Sequence, residues 1–448
     1  MNSTSTSSLW LRVLGGLVAG LAFGLVLVVI GAHWWLNRYL HSDGFRKLVS
    51  AKTASALHAE GEYLPLHWTG TTAHSDGFHA RGLPGSPLKE LRADQVRADL
   101  EVSGMFRREW RIRGLDIQRL KVTVGPSVAT GTFTPTTASS KSSLRLVLEP
   151  LKVHDGNIEW TTGGSVSGAV RHAGMTVKIG DDFWETSASS GELSFSDVQP
   201  MWIEQAHVRF QRDTVFITDS LLRLTEGGKV NINGQLGLGS TRESDLTLRF
   251  DEVPVDRWLS RDWRGRLVGK ARGESRVRGR LAESKTMSAE GSIQLIDGRM
   301  EALPVLNRLA VFTGSEQFRQ LQLHKARTDY MWTPTRLTLQ KLAMESTGLL
   351  RIEGGCVVEK DVITGEFDVG VSAGTLRWLP GARTRVFTVE RDGYQWTKVK
   401  VQGPTDNIQE DLSTRLITAA GAELFEDTKG AVQKGAERLL GIFQKLTQ

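Results

Sequence analysis

Apolar residues alternate with polar ones over most of the chain, which is the period of a strand with one buried face. The clearest apolar positions of these segments are Leu146, Leu148, Phe210, Leu246, Leu248, Phe250, Phe367 and Val369. Turn residues recur between the segments at roughly ten-residue spacing. Helical patterns between the strands are nearly absent. The alternation therefore predicts a mainly β, mostly antiparallel protein and not a parallel α/β sheet.

Two architectures fit strands with one apolar and one polar face. A sandwich buries two apolar faces against each other. A single long sheet that curls on itself encloses an apolar trough instead. The alternation alone does not separate the two architectures. Within either one, Asp-Gly pairs predict turns, one at residues 154–157 (His-Asp-Gly-Asn) and one at Asp297-Gly298.

Helical spacing is confined to a few segments. The apolar positions of residues 44–60 predict a helix that follows the N-terminal region, and Pro304 with the leucines after it predicts a short internal helix. After residue 405, Leu412, Leu416 and Ala420 form the stripe of one helix, and a second stripe runs over residues 432–446. That second stripe has basic flanks, so it suits either a helix on an anionic membrane or a lid that completes the core.

An uncharged run at residues 13–32 would span about 30 Å as a helix, which is enough for the hydrocarbon core of a bilayer. Trp34 and Trp35 follow it, where an interfacial aromatic belt belongs. A signal peptide is the alternative, but the run is long for one, and the Ala-Ser-Ala sequence at residues 54–56 lies far beyond it. The run therefore predicts an uncleaved transmembrane anchor.

The charges on either side of this run bear on which side of the membrane the rest of the chain lies. Arg12 precedes the run, whereas Arg38, Arg46, Lys47 and Lys52 follow it. Counted simply, the positive-inside rule leaves the large domain in the cytoplasm. This rule is weak for a single span before a long domain.

Composition adds limits on function. The chain has 448 residues and a net charge of +6, which is mild for its length and argues against a nucleic-acid binder. Cys356 is the one cysteine, so an intrachain disulfide is excluded. No sequence pattern of a nucleophile, an acid–base pair, a metal site or a cofactor site is evident. His67, His74 and His79 have irregular spacing, so we interpret them as ordinary histidines. The sequence predicts a protein that is not an enzyme.

Arg276, Arg278 and Arg280 are two residues apart, so they share one face of a strand. Three interpretations compete for this basic segment: a solvated outer face, binding of lipid phosphate headgroups, and binding of nucleic acid. Trp258 and Trp263 do not interleave with the arginines as a stacking platform would. We therefore rank the solvated face first and exclude nucleic acid.

The stretch from about residue 253 to residue 403 resembles the C-terminal module of the AsmA-like family of bacterial envelope proteins. The resemblance rests on a strand that ends in Asp297-Gly298, a Leu303-Pro304 helix start, a Phe-x-x-Leu strand at residues 318–321, and a series of short strands after it. It implies an inner-membrane protein with a single span and a long curved β-sheet in the periplasm. Some members of this family, and the similar TamB proteins, are thought to carry lipids along an apolar groove.

The resemblance gives the following expected organisation: a tail (1–12), an anchor (13–35), a helix (36–60), two β regions (61–285 and 286–405) and C-terminal helices (406–448). It implies a role in envelope biogenesis in which the eight apolar positions named at the outset guide phospholipids, with no cofactor. The implied partners are the inner membrane, phospholipid, and a second membrane or envelope protein at the C-terminal helices. The alternative is a structural or assembly factor that binds other envelope proteins.

Overall fold

A computed structural model describes residues 38–57, 59–84, 86, 88–101, 109–125, 145–161, 167–180, 183–195, 198–211, 214–237, 243–256, 259, 264–280, 283–301, 310, 316–377 and 381–427. Strands make up 71% of these residues, which confirms the mainly β prediction. Among the residues described, no helix is both long enough and apolar enough to cross a membrane. The predicted anchor, the internal helix at Pro304 and the stripe at 432–446 lie outside them.

The strands β1 to β24 follow one another along the chain. Their bounds are Ala59–Tyr63, Leu66–Thr69, Thr72–Gly82, Leu88–Glu101, Glu109–Val124, Arg145–Leu148, Leu151–Thr161, Ser167–Ile179, Trp184–Ser189, Gly191–Phe195, Val198–Gln211, Thr214–Leu224, Lys229–Gly237, Ser244–Pro254, Leu267–Arg280, Glu283–Glu301, Gln320–Leu323, Lys325–Thr333, Arg336–Ser346, Leu350–Glu359, Val362–Ser372, Val389–Arg391, Tyr394–Pro404 and Gln409–Glu410. The predicted boundary at 285/286 falls inside β16, which pairs with β15 on both sides of that point.

Helices are few and short. Helix α1 is Asp43–Ala56, which begins one residue before the predicted helix and ends four residues earlier. Its N-cap Ser42 accepts a hydrogen bond from the Phe45 N–H at 3.2 Å. Helix α2 is Ala373–Leu376, and helix α3 is Leu412–Asp427. A 3₁₀ turn lies at Glu316–Phe318 and a π-helical turn at Ala382–Val386, and residues 38–40 form a short helical stretch before α1.

The chain divides into two compact units. The first holds residues up to 180 together with 190–198, and the second holds 181–189 and residues from 199 onward. In the first unit, β1 and β2 both pair with β3, β3 pairs with β4, and β4 pairs with β5. Strand β7 pairs with β8, and β8 pairs with β10. Both β6 and β7 run parallel to β5. This parallel pairing is an exception to the predicted antiparallel order.

The second unit is antiparallel in every described pairing. Strand β9 pairs with β11, and each strand from β11 to β16 pairs with the next along the chain. Both β17 and β18 pair with β16, and the order continues through β19, β20 and β21 to β23. The short strands β22 and β24 pair with the outer edge of β23. Neighbours in sequence are thus neighbours in the sheet.

Both predicted Asp-Gly turns are wrong. Residues 154–157 lie inside β7, and Asp297-Gly298 lies inside β16. Asp297 has a φ of 50°, which is a left-handed value inside a continuous strand. The partner register skips a residue there, as a β-bulge requires. At Asp297 a left-handed residue serves a bulge instead of a turn, so local sequence did not distinguish the two.

Candidate functional site: an apolar sheet face

One face of the second unit carries an apolar row that crosses nine strands, here called the open row. Each member lies directly opposite the next across the ladder, so all of them share a face. The members are Ile217, Gly234, Leu246, Val277, Ala289, Trp332, Leu337, Val358 and Ile363. None of the nine is buried, and the Trp332 side chain is 40% exposed. The open row is therefore apolar surface in contact with water.

At the other ends of the strands, away from the open row, short helices pack on the same face; this region is here called the covered end. Val369, Leu350 and Val371 lie there in one core with residues of the short helices. The helical members of this core are Phe318, Leu376, Ala382, Val386, Leu412, Leu416 and Ala419. Phe318 and Phe387 are fully buried in it. On β20 and β21 this face thus passes from a packed core at one end to half-buried apolar surface at the other.

Helix α3 is fixed to the edge strand β23 at its first turns. The Asp411 carboxylate accepts a hydrogen bond from the Lys400 N–H at 2.9 Å. The Arg415 guanidinium donates to the Lys398 carbonyl and to the Thr397 hydroxyl, each at 2.5 Å. These side chains occupy backbone groups that an added strand would use. The first predicted C-terminal helix therefore belongs to the fold.

The eight predicted lipid-facing residues fall into distinct environments. Leu246, Leu248 and Phe250 lie half-buried on the apolar face of β14, and Phe367 lies half-buried on β21. Phe210 is 43% exposed opposite Trp184, which is 48% exposed. Val369 is only 7% exposed in the core of the covered end. Leu146 and Leu148 lie on β6, and their side chains are outside the described residues.

The first unit has an equivalent apolar row. Directly opposed residues on six strands form it: Ala80, Leu91, Val122, Ile158, Val170 and Leu193. Ala80 is 5% exposed, whereas the other five are half-buried. The two units therefore share one design, in which strand alternation places apolar side chains on a single face.

The three predicted headgroup residues occupy the opposite face of the second unit. Val277, a member of the open row, alternates with Arg276 and Arg278 on β15, so these arginines point away from the apolar face. Arg276 donates to both carboxylate oxygens of Asp245. Arg278 pairs with Glu290 at 3.4 Å, and Arg280 pairs with Glu283 at 2.7 Å. A solvated, ion-paired face fits this arrangement better than an anion site.

Electrostatics agree with that interpretation. The hydrogen bond from Arg276 holds the pKa of the Asp245 carboxyl below its usual value, and the positive charge of Arg276 acts in the same direction. Asp251 and Glu274 likewise raise the pKa values of the Arg272 and Arg249 guanidinium groups. The Asp245 carboxyl and the guanidinium groups of Arg249 and Arg272 therefore stay charged near neutral pH. Pairs this exposed contribute little to stability.

Asparagine side chains at two bulges are a feature that the sequence analysis missed. His172 and Asp219 both have left-handed φ values, near 50°, inside strands. The Asn157 side chain accepts the His172 N–H at 3.2 Å, and the Asn233 side chain accepts the Asp219 N–H at 2.6 Å. Each asparagine thus satisfies a backbone donor that the bulge removes from the ladder. An asparagine within a strand pattern is the sequence signal for a bulge that is stabilised in this way.

Metal or acid–base chemistry finds no support in the described part of the chain. His67 and His74 are opposite each other on β2 and β3, and His79 lies farther along β3. No group of three or more His, Cys, Asp or Glu side chains there could hold a metal ion. Residues 265–270, which resemble a phosphate-binding loop only in part, enter β15 from a turn. Burial raises the pKa of the Cys356 thiol, so this side chain is an uncharged member of β20.

Comparison with known proteins gives no relative from which a function could be transferred. No family model matches the chain, and no curated protein or solved structure matches it. The apolar face and the sequence patterns are therefore the features that bear on function.

Proposed function

We propose that the chain is a membrane-anchored envelope protein of the AsmA-like type, and that its apolar sheet face guides phospholipid acyl chains. The observation that carries the proposal is the open row, in which nine aligned positions are all apolar or glycine and none is buried. Exposed apolar surface of this extent marks a binding site in a soluble domain. An elongated, curved groove in the periplasm and a single span at residues 13–32 are parts of this proposal.

The dimensions of the open row suit a lipid chain. Nine strands at a spacing of about 4.8 Å give a row about 38 Å long. This is about two and a half times the thickness of the hydrocarbon in one bilayer leaflet, about 15 Å. An acyl chain can therefore lie across several strands with room to move along the row. Each buried methylene contributes about 0.8 kcal/mol, so partition onto this face needs no chemical step.

Headgroups stay in water in this mechanism. The paired arginines lie on the other face, so a lipid on the open row does not reach them. The hydrated headgroup is expected at the open ends of the strands, where Trp332 is exposed. Because the open row is apolar along its whole length, acyl chains can move along it passively.

Site-specific photo-crosslinking tests the lipid proposal in the full-length protein. A photoreactive residue at Leu246 or Leu248 is expected to capture phospholipid in cells, because both positions are half-buried on the apolar face. Thr247 lies between them on the opposite face and is the matched control, expected to capture none. The measurement is mass spectrometry of the purified adduct.

Other outcomes of this experiment would contradict the lipid proposal. Capture of protein alone at both leucine positions would favour the assembly-factor alternative. Equal lipid capture at Thr247 would show that the labelling does not depend on the face. A probe at Val369 is expected to capture no lipid, because this side chain is 7% exposed within the covered end.

Localisation is testable separately. A reporter that is active only in the periplasm, fused after Gln448, is expected to give signal if the chain after the predicted anchor leaves the cytoplasm. The same fusion in a variant that lacks residues 1–37 should lose the signal. Activity from a cytoplasmic reporter at the same position would contradict the proposed location and agree with the charge bias around the anchor.

A further inference from the structure

Helix α1 is held against the first unit through one side only. Phe45 and Ala54 are buried, and the Ser50 hydroxyl accepts the Tyr63 N–H at 3.0 Å. The Arg46 guanidinium donates to the Tyr63 carbonyl at 3.3 Å and pairs with Glu62. These contacts join the helix to β1 and fix its rotation about its own axis. The opposite side of α1 consequently points away from the sheet.

That outer side of α1 is basic and partly apolar. Lys47, Leu48, Ala51, Lys52 and Ser55 all lie on it, and all are exposed. The Leu48 side chain is 51% exposed, which is unusual for a leucine beside a packed helix face. The one acidic residue of α1, Asp43, pairs with Arg46 at 3.3 Å. Within the described part of the chain, neither lysine has a carboxylate within ion-pair distance, unlike the arginines on the outer face of β15.

The chain before α1 limits how far this side can be from a membrane. The uncharged run ends at Ala32, and six residues later Arg38 is already helical. Six residues reach at most about 21 Å when fully extended. If residues 13–32 are the anchor, as proposed above, the helical turn at Arg38 lies within about 21 Å of the hydrocarbon boundary, and α1 begins at Asp43, five residues farther along the chain. Headgroups and interfacial water fill several ångströms of that distance.

We propose that the outer side of α1 docks on the surface of a membrane that contains anionic phospholipid. Lys47 and Lys52 approach the phosphates, and Leu48 enters the boundary between headgroups and acyl chains. Charge complementarity selects an anionic lipid surface over a zwitterionic one. The docked helix sets the orientation of the first unit relative to its own membrane. This inference rests on the proposed anchor and does not depend on lipid binding at the open row.

Depth-dependent fluorescence quenching tests the docking in the full chain. The protein carries Leu48→Cys with a fluorophore, in a Cys356→Ala background that removes the one native cysteine. It is placed in nanodiscs of phosphatidylcholine with or without phosphatidylglycerol, which contain lipid with a quencher near the headgroup. We expect strong quenching with phosphatidylglycerol and weak quenching without it. Added salt should reduce the quenching.

Charge reversal supplies the decisive comparison. Each lysine near an anionic surface contributes about five-fold to binding, so Lys47→Glu with Lys52→Glu should lower the docked-to-free ratio by at least about 25-fold. Lys285→Glu with Lys325→Glu makes the same charge change at exposed sites in the second unit and should leave quenching unchanged.

The results that would overturn the docking proposal are of two kinds, which differ in what else they affect. Insertion into nanodiscs without quenching, or quenching that survives reversal of both lysines, would overturn the docking alone. A chain that stays out of the nanodiscs would overturn the anchor as well. Neither result bears on crosslinking at Leu246, so failure of the open-row proposal remains distinguishable.

Discussion

Leu416→Ala is expected to lower the free energy of unfolding by about 2–5 kcal/mol. Leu416 is 3% exposed in the core of the covered end, where it shares that core with Phe387 and Val399. Removal of its branched end leaves a cavity that the surrounding strands and helices fill only in part. Chemical denaturation of the full chain, followed by tryptophan fluorescence, measures the change.

Thr414→Ala is the matched control for this substitution. Thr414 lies on α3 two residues before Leu416 and is exposed, so its replacement should change stability by less than about 0.5 kcal/mol. A large loss at Leu416 alone means that α3 completes the core. If Leu416→Ala were as mild as Thr414→Ala, the helix would be a detachable element available to a membrane or partner.

Gly234→Ala should destabilise the second unit by about 3 kcal/mol or more. Gly234 has a φ of 131° within β13, which side chains rarely tolerate. A Cβ atom there would lie 2.1 Å from the Asp245 carbonyl oxygen on the neighbouring strand. Since that oxygen belongs to a backbone ladder, relief requires β13 and β14 to separate. The same denaturation experiment measures the loss.

Gly227→Ala separates conformational strain from the collision. Gly227 also has a positive φ, 103°, but it lies in the turn before β13 and a Cβ there meets nothing within 4 Å. Its replacement should cost only the backbone strain, about 1–2 kcal/mol. Similar losses at the two glycines would show that the strands move apart easily, contrary to a tightly paired sheet.

Strand alternation predicted the apolar face well because it is a local property. Leu246, Leu248 and Phe250 were predicted to share a face and do so, since successive side chains of a strand must alternate. Helix α1 was predicted for the same reason, from the apolar spacing of residues 44–60.

Features that depend on distant residues were not predictable. Arg276 finds Asp245 across 31 residues of chain, and no local pattern reports that pairing. The parallel contact of β5 with β7 likewise joins strands that are not successive in the chain. Burial differs along one face for the same reason: Val369 and Leu248 have the same strand pattern, but helices cover only the end that holds Val369.

The sequential pairing of strands in the second unit has a kinetic consequence. From β11 to β16 each strand pairs with the next strand of the chain, so these contacts join strands that are separated by a single loop. Loops between such partners close quickly, and each new hairpin can add to a preformed neighbour. Folding can therefore propagate strand by strand, as in repeat proteins, where stability is a sum of neighbouring contacts. A hairpin gained or lost from the middle would lengthen or shorten the apolar face without changing how the remaining strands meet.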